Sequence, residues 1–202
     1  MRRLPVAGFL MLLAPLGSTS RLVAQQATRI HAIELTMSAG YFQPTGTAGQ
    51  VGTLALTRRP SWAATTLLSY NAPGGFLTGE VSTGYAAERI LQSGTGGGFG
   101  SRGTNLMFGA ARVMIGRSPR RSGISYMIGG GLSVIRRKKS VLDSSVGTTD
   151  MGGTISGMVR FPIDGQVGLR LDAQNLVYSA DYGQGKKMRN DIVMTGGLSI
   201  AW

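Results

Sequence analysis

Cysteine is absent from the 202 residues of this chain, and histidine occurs once, at His31. Without cysteine the chain has neither a disulfide scaffold nor a cysteine to carry a lipid anchor. A transition-metal site is usually built from several imidazole and thiolate ligands, so this composition leaves little from which to build one. We therefore expect no metal and no cofactor, and stability must come from packing or from a closed hydrogen-bonded ladder.

Long apolar runs are also scarce. One run, residues 6–16, follows Arg2 and Arg3 and precedes a series of small residues. It is too short to cross a bilayer as a helix, which takes about 20 apolar residues. A short basic region, an apolar stretch and small residues are typical of a secretory signal peptide. The sequence predicts a signal peptide over residues 1–24 and one domain over 25–202, with a buried N-terminal helix as the alternative.

Glycine is abundant, with 32 residues against 7 prolines, but no Gly-X-Y period points to collagen. Beyond the N-terminal run, apolar residues recur at period two between turn-rich clusters, a pattern that predicts strands rather than helices. Eight strands are expected, over residues 30–42, 62–70, 76–88, 104–115, 124–135, 151–161, 167–178 and 191–202. Residues 53–57 read either as a ninth strand or as the stem of a long loop, and an even strand count favours the loop.

The last of these strands is apolar on one face, with small or polar residues on the other and an aromatic residue, Trp202, at its end. It resembles the C-terminal signature strand of bacterial outer-membrane proteins, which in that family is read by the assembly machinery. The resemblance implies that Trp202 is an assembly signal.

Residues 25–202 resemble the small OmpA/OmpX/OmpW-like barrels in architecture. The resemblance implies an all-β fold: an eight-stranded antiparallel up-and-down transmembrane β-barrel with short periplasmic turns and longer extracellular loops. It also implies a location in the cell outer membrane, contact with outer-membrane lipids and lipopolysaccharide, and a monomer. The predicted periplasmic turns are residues 72–75, 118–122 and 162–165, and the predicted outer loops are 43–60, 92–103, 136–150 and 179–190.

Polar residues that alternate inward on different strands form the first candidate site. These six residues are expected to share the narrow lumen of the barrel: Glu34, Glu80, Arg112, Arg160, Arg170 and Asp172. Buried charges of opposite sign need partners, because isolated buried charge is costly. A structural ion-pair network is one interpretation, and a narrow gated pathway for small polar solutes is the other.

The net charge of +12 supplies the second candidate site, because much of it falls in the predicted loops. The cations expected to face lipopolysaccharide phosphates are Arg136, Arg137, Lys138, Lys139, Lys186, Lys187 and Arg189. A solvated loop surface without a ligand is the alternative. Nucleic acid is not expected as a partner, because no basic motif is interleaved with aromatics and no helix is predicted to enter a groove.

Three functions remain open from the sequence. The first is a non-enzymatic outer-membrane protein with a structural or interaction role. The second is a lipid-A-modifying enzyme on the same barrel, against which His31 counts because it is predicted at the periplasmic end. The third is a soluble exported barrel that holds an apolar ligand, which requires apolar faces inside and charged faces outside.

Overall fold

The computed structural model describes residues 32–45, 47–51, 54–94, 99–117, 123–138, 148–181 and 186–202. All regular elements among them are β-strands: β1 Ile33–Gln43, β2 Thr47–Val51, β3 Leu54–Arg59, β4 Ser61–Asn71, β5 Leu77–Gly94, β6 Phe99–Arg117, β7 Ser125–Lys138, β8 Thr148–Pro162, β9 Val167–Asp181 and β10 Lys186–Ala201. The predicted signal peptide over residues 1–24, His31 and Lys139 lie outside the described residues.

The strands form one antiparallel sheet that closes on itself. Their order is β2-β3-β5-β4-β1-β10-β9-β8-β7-β6, and β5 also pairs with β6. Following registered partners once around from Ile33, through Tyr70 and then each strand in turn, leads back to β1 at Gln43, ten residues further along. Such a stagger belongs to strands tilted against the barrel axis. The prediction of an eight-stranded antiparallel barrel is confirmed.

Ten strands make eight barrel positions because two of them continue others. Both β3 and β4 pair with β5, one after the other, and β2 pairs with β3 beyond the end of β1. Residues 47–51 and 54–59 thus prolong the β1–β4 hairpin outward. Leu54–Arg59 is a strand, and it is the stem of the first outer loop rather than a ninth position in the wall.

Pro60 separates β3 from β4 and marks a bulge. Arg59 is registered with Arg89, whereas Ala63 is registered with Ala86, so one strand carries one more residue than the other between these pairs. Proline suits a bulge because it has no N–H to donate to the ladder. The extra residue changes which residues face inward: Arg58 is buried on β3, and Ala63 is buried on β4.

The turns at one end of the barrel are short. Residues 163–166 join β8 to β9, and 72–76 join β4 to β5, where the Gly75 N–H donates to Ala72 O over 2.9 Å. Gly75 has φ of +71°, a left-handed conformation that glycine adopts without steric cost. The predicted turn 118–122 lies outside the described residues.

At the other end the strands are longer than the sequence predicts. The predicted loop 92–103 is largely strand, since β5 ends at Gly94 and β6 begins at Phe99. The predicted loops 136–150 and 179–190 are shortened in the same way by β7, β8, β9 and β10. Glycine- and serine-rich segments signal turns in isolation, but a neighbouring strand that offers ladder partners extends them.

Side chains alternate strictly between the lumen and the outer wall. Inside, the half of the lumen toward the long strand ends holds an apolar layer: Phe42, Ala63, Ala86, Leu106, Phe108, Ile135, Leu176, Tyr178, Ala180 and Val193. Toward the short turns, Met114, Met127 and Met158 pack together. The remaining buried residues are mostly polar or charged, so the lumen is more polar than the outer wall.

Candidate functional site

The six predicted lumen residues come together in one cluster, the central network (Glu34, Glu80, Arg112, Arg160, Arg170 and Asp172). They project inward from β1, β5, β6, β8 and β9, and each is at most 8% exposed. Three carboxylates and three guanidinium groups make the cluster neutral.

Arg170 lies at the centre of the network and contacts all three carboxylates. Its Nη2 is 2.6 Å from Glu80 Oε1, its Nε is 2.7 Å from Asp172 Oδ2, and its Nη1 is 3.7 Å from Glu34 Oε1. Arg112 binds two of the same acids, through Nε to Glu80 Oε2 at 2.7 Å and Nη2 to Asp172 Oδ1 at 3.2 Å. Glu80 and Asp172 are therefore each shared by two arginines, which ties β5, β6 and β9 together across the lumen.

Arg160 occupies the end of the network nearest the short turns. It is registered directly opposite Arg170, an arrangement of like charges that is unfavourable by itself. Glu34 offsets the repulsion, with Oε2 3.4 Å from Arg160 Nε, and the same Nε donates to Ser199 Oγ over 2.9 Å. Gly168 leaves the space for this guanidinium, because a Cβ there would lie 2.6 Å from Arg160 Cζ.

A second buried cluster, the outer cluster, was not predicted. Arg58 donates to both oxygens of Asp191, at 2.8 Å and 2.7 Å, and Tyr178 donates to the same carboxylate over 2.6 Å. The Thr45 N–H adds a fourth bond of 3.2 Å, and the Arg58 guanidinium lies 5.8 Å from the Phe42 ring centroid. The cluster joins β3, β9 and β10 where β1 ends. Proline inside a strand pattern was the available signal, since a bulge there turns Arg58 inward.

Two of the predicted lipopolysaccharide-facing cations lie inside the barrel instead. Arg137 is 5% exposed, forms an ion pair with Asp150 and lies 5.9 Å from the Tyr178 ring centroid. Arg189 is 8% exposed. For these two side chains the predicted outward position is wrong, because β7 and β10 continue into the predicted loops and alternation places residues 137 and 189 on the lumen side.

The other predicted cations lie at the same end of the barrel. Arg136, Lys186 and Lys187 are exposed there. The side chain of Lys138 and all of Lys139 lie outside the described parts of the chain.

The lumen is packed rather than open. A cavity of about 10 Å³ lies at mid-height, lined among others by Ser82, Arg112, Asp172 and Gln174. A space of this size accommodates about one water molecule. Ser82 Oγ and Arg112 Nη1 have no hydrogen-bond partner among the described residues, so polar groups are available there for a water. No group of acidic, His or Cys residues suited to a metal occurs in the described ranges.

The outer wall carries an apolar band. Large apolar side chains remain 36% to 74% exposed on every barrel strand, Ile128 at 73% and Met151 at 74% among them. A soluble protein of this size rarely exposes a contiguous apolar surface of such extent. The described part of the chain contains no helix long and apolar enough to cross a membrane.

Aromatic residues border this band at two levels. Near the short turns the exposed aromatics are Tyr70, Phe76, Tyr126, Phe161 and Trp202. Near the long strand ends Tyr41 and Trp62 are exposed and registered with each other, and the Trp62 and Tyr85 rings are 5.3 Å apart. Eight residues of strand from Trp62 to Tyr70 span about 27 Å, or about 20 Å of height at the usual barrel tilt. Membrane barrels carry aromatic girdles around an apolar band about 25 Å tall.

Comparison with known proteins gives fold likeness. No protein-family model matches the chain, and no curated protein matches it. Among solved structures, it is similar to Neisserial surface protein A, at 13% identity and a TM-score of 0.62, with 85% of this chain and 97% of that chain covered. It is similar to the outer membrane protein OprG of Pseudomonas aeruginosa, at 7% identity, a TM-score of 0.63 and coverages of 86% and 97%.

A third similar structure is the outer membrane protein AlkL, determined in lipid bilayers, at 11% identity, a TM-score of 0.52 and coverages of 94% and 95%. At such identities the likeness is one of fold. The architecture is that of the small outer-membrane β-barrels.

Proposed function

We propose that this chain is a non-enzymatic protein of the bacterial outer membrane, with a structural or interaction role exerted through its extracellular end. The polarity of the barrel carries the proposal. Its outer wall is apolar between two aromatic levels, whereas its lumen holds buried ion pairs. This polarity is the reverse of a soluble barrel with an apolar ligand inside, and it suits a lipid solvent outside.

The lumen supports a closed barrel rather than a channel. The central network fills one half, the apolar layer and the outer cluster fill the other, and the cavity between them has about 10 Å³. Moving a solute through would require separating ion pairs that are shielded from water, which is costly. The central network therefore acts as a structural filling in this proposal, holding strands on opposite sides of the lumen in place.

The exposed cations at the long strand ends supply the interaction surface. We assign Arg136, Lys186 and Lys187, together with Lys138 and Lys139, to contact with lipopolysaccharide phosphates. Arginine and lysine form strong charge-assisted hydrogen bonds with phosphate oxygens. The proposal also includes export by residues 1–24, assembly read from the β10 end with Trp202, and a monomeric barrel.

Cell fractionation combined with gel mobility tests the membrane location. We expect the protein in the outer-membrane pellet, with different mobility in unheated and boiled SDS samples. Recovery wholly in the periplasmic fraction would contradict the proposal. In planar bilayers the folded protein should give negligible current, and large stable openings would favour the channel. Unchanged lipid A mass spectra with and without expression are expected, whereas a new lipid A species would favour the enzyme.

Charge neutralisation tests the interaction surface. A variant with glutamine at residues 136, 138, 139, 186 and 187 should retain less lipopolysaccharide during purification than the wild type, because phosphate contacts are lost. Arg117→Gln is a matched control, since Arg117 is exposed at the opposite end of the barrel. Equal retention by all three proteins would leave these charges as solvated surface.

A further inference from the structure

Arg59 stands on the outer wall at the start of the bulge. It is exposed, whereas its neighbour Arg58 is buried and bound to Asp191 inside the barrel. The position registered opposite Arg59 on β5 is also an arginine, Arg89. Directly opposite positions in an antiparallel ladder share a face of the sheet, and like charges there are unfavourable. The ladder thus places two cations on one small area of the outer wall.

No acidic group among the described residues offsets this charge. Arg59 forms no ion pair with a described residue, in contrast to the buried arginines of the central network and the outer cluster. An anion from outside the chain would remove the repulsion and use the guanidinium donors. A surface arginine pair without internal partners therefore favours an external anionic ligand.

The height of the pair on the barrel indicates which anion. Trp62 lies three residues from Arg59 toward the middle of the barrel, about 10 Å along the strand, and its ring packs against Tyr85. Tryptophan and tyrosine concentrate at the boundary between hydrocarbon and headgroups. Arg59 and position 89 therefore lie at headgroup height on the extracellular side, where lipid phosphates lie.

We propose that Arg59 and Arg89 form a phosphate-binding site for the lipid A part of lipopolysaccharide, with Trp62 and Tyr85 beneath it against the acyl chains. This site rests on the proposed membrane location and on the proposed contact with lipopolysaccharide. It differs from the loop cations because it lies on the wall of the barrel. Arginine suits it because its planar donors match phosphate oxygens two at a time.

Binding of lipid A to the folded protein tests the site. Wild-type protein, Arg59→Gln, and the double variant Arg59→Gln/Arg89→Gln are compared in detergent with lipid A, with dephosphorylated lipid A and with phosphatidylglycerol. The double variant should bind lipid A at least about tenfold more weakly, as the loss of charge-assisted hydrogen bonds predicts. Arg59→Gln should fall between it and the wild type. Dephosphorylated lipid A should bind all three proteins equally weakly.

Two controls keep the outcomes separate. Arg117→Gln removes an exposed cation at the other end of the barrel and should bind lipid A as the wild type does. Heat-dependent gel mobility shows that each variant is folded. Wild-type affinity in the folded double variant would overturn the site while leaving the proposed function intact. Absence of lipid A binding by the wild type would overturn both. An equal loss of phosphatidylglycerol binding would overturn the assignment to lipopolysaccharide.

Discussion

Arg170 shows how a buried charge is tolerated in this lumen. Three carboxylates surround one guanidinium, and two of those acids also bind Arg112. Loss of one member would leave several buried groups without full compensation. Breaking a buried ion pair by removing one partner costs about 3–5 kcal/mol, much of it from the charge left behind.

Arg170→Met is expected to lower the free energy of unfolding by about 3–5 kcal/mol, because Glu34, Glu80 and Asp172 then face only two arginines. Urea unfolding of the barrel in lipid vesicles measures the change. Arg117→Met, at an exposed position, should stay within about 0.5 kcal/mol of the wild type. The double variant Arg170→Met/Asp172→Asn restores the charge balance and should recover part of the loss. A double variant less stable than Arg170→Met would refute the charge-balance argument.

Gly168 contributes to the same network by having no side chain. A Cβ at this position would lie 2.6–2.9 Å from three atoms of the Arg160 guanidinium. That guanidinium is held by Ser199 and Glu34, so it has no free direction in which to move. The tight packing of this pair is a residue-scale feature that the sequence pattern does not reveal.

Gly168→Ala should destabilise the barrel by about 1–3 kcal/mol, the usual cost of inserting a methyl group into a packed interior. Gly79→Ala is the matched control, because a Cβ there meets nothing within 4 Å, and it should be neutral or slightly stabilising. Combining Gly168→Ala with Arg160→Met tests the cause through the coupling between the two sites. If Gly168→Ala costs as much in the Arg160→Met background as in the wild type, the guanidinium is not what resists the methyl group.

At the scale of elements, the bulge at Pro60 decides where two neighbouring arginines lie. Arg58 is buried in the outer cluster and Arg59 is exposed, although both fall in one basic pair in the sequence. Regular alternation from β4 would have placed Arg58 outside. The extra residue is therefore what brings Arg58 to Asp191.

Deleting Pro60 should turn β3 over, since a shift of one residue exchanges the two faces of a strand. Asp191 would lose Arg58, and we expect destabilisation of about 3 kcal/mol or more in urea unfolding. Pro60→Ala retains the residue count and should keep the bulge, so its stability should remain within about 1 kcal/mol of the wild type. A deletion variant as stable as Pro60→Ala would show that the bulge does not position Arg58.

How far the sequence predicts the barrel also differs between elements. Period-two alternation predicted the inward and outward faces of β1, β5 and β9, because side-chain direction in a strand follows from position alone. The ends of β7 and β10 were missed, and Arg137 and Arg189 with them, since pairing with neighbours extends strands through segments that read as loops. The outer cluster was missed because a bulge is set by the register of two strands, of which the sequence shows only one.

At the scale of the whole molecule, the closed ladder and the reversed polarity are parts of one arrangement. Closure leaves the eight-stranded wall without a free edge at the level of the apolar band, as a lipid environment requires. The lumen then holds the charged residues that the outer wall excludes. The fold alone is compatible with several functions, so the solvent of the outer wall must be tested separately.

Met37 and Ile163 provide that test, because both are 64% exposed. Met37 lies midway along β1 between the two aromatic levels, and Ile163 lies in a short turn beyond the band. In lipid vesicles, Met37→Arg should cost about 2–4 kcal/mol, whereas Ile163→Arg should cost about 0–1 kcal/mol, because the penalty for a cation falls away from the bilayer midplane. Folding into vesicles followed by urea unfolding measures both. If water covered the outer wall, equally exposed positions would tolerate arginine equally well, and equal stability of the two variants would reject a membrane-embedded barrel.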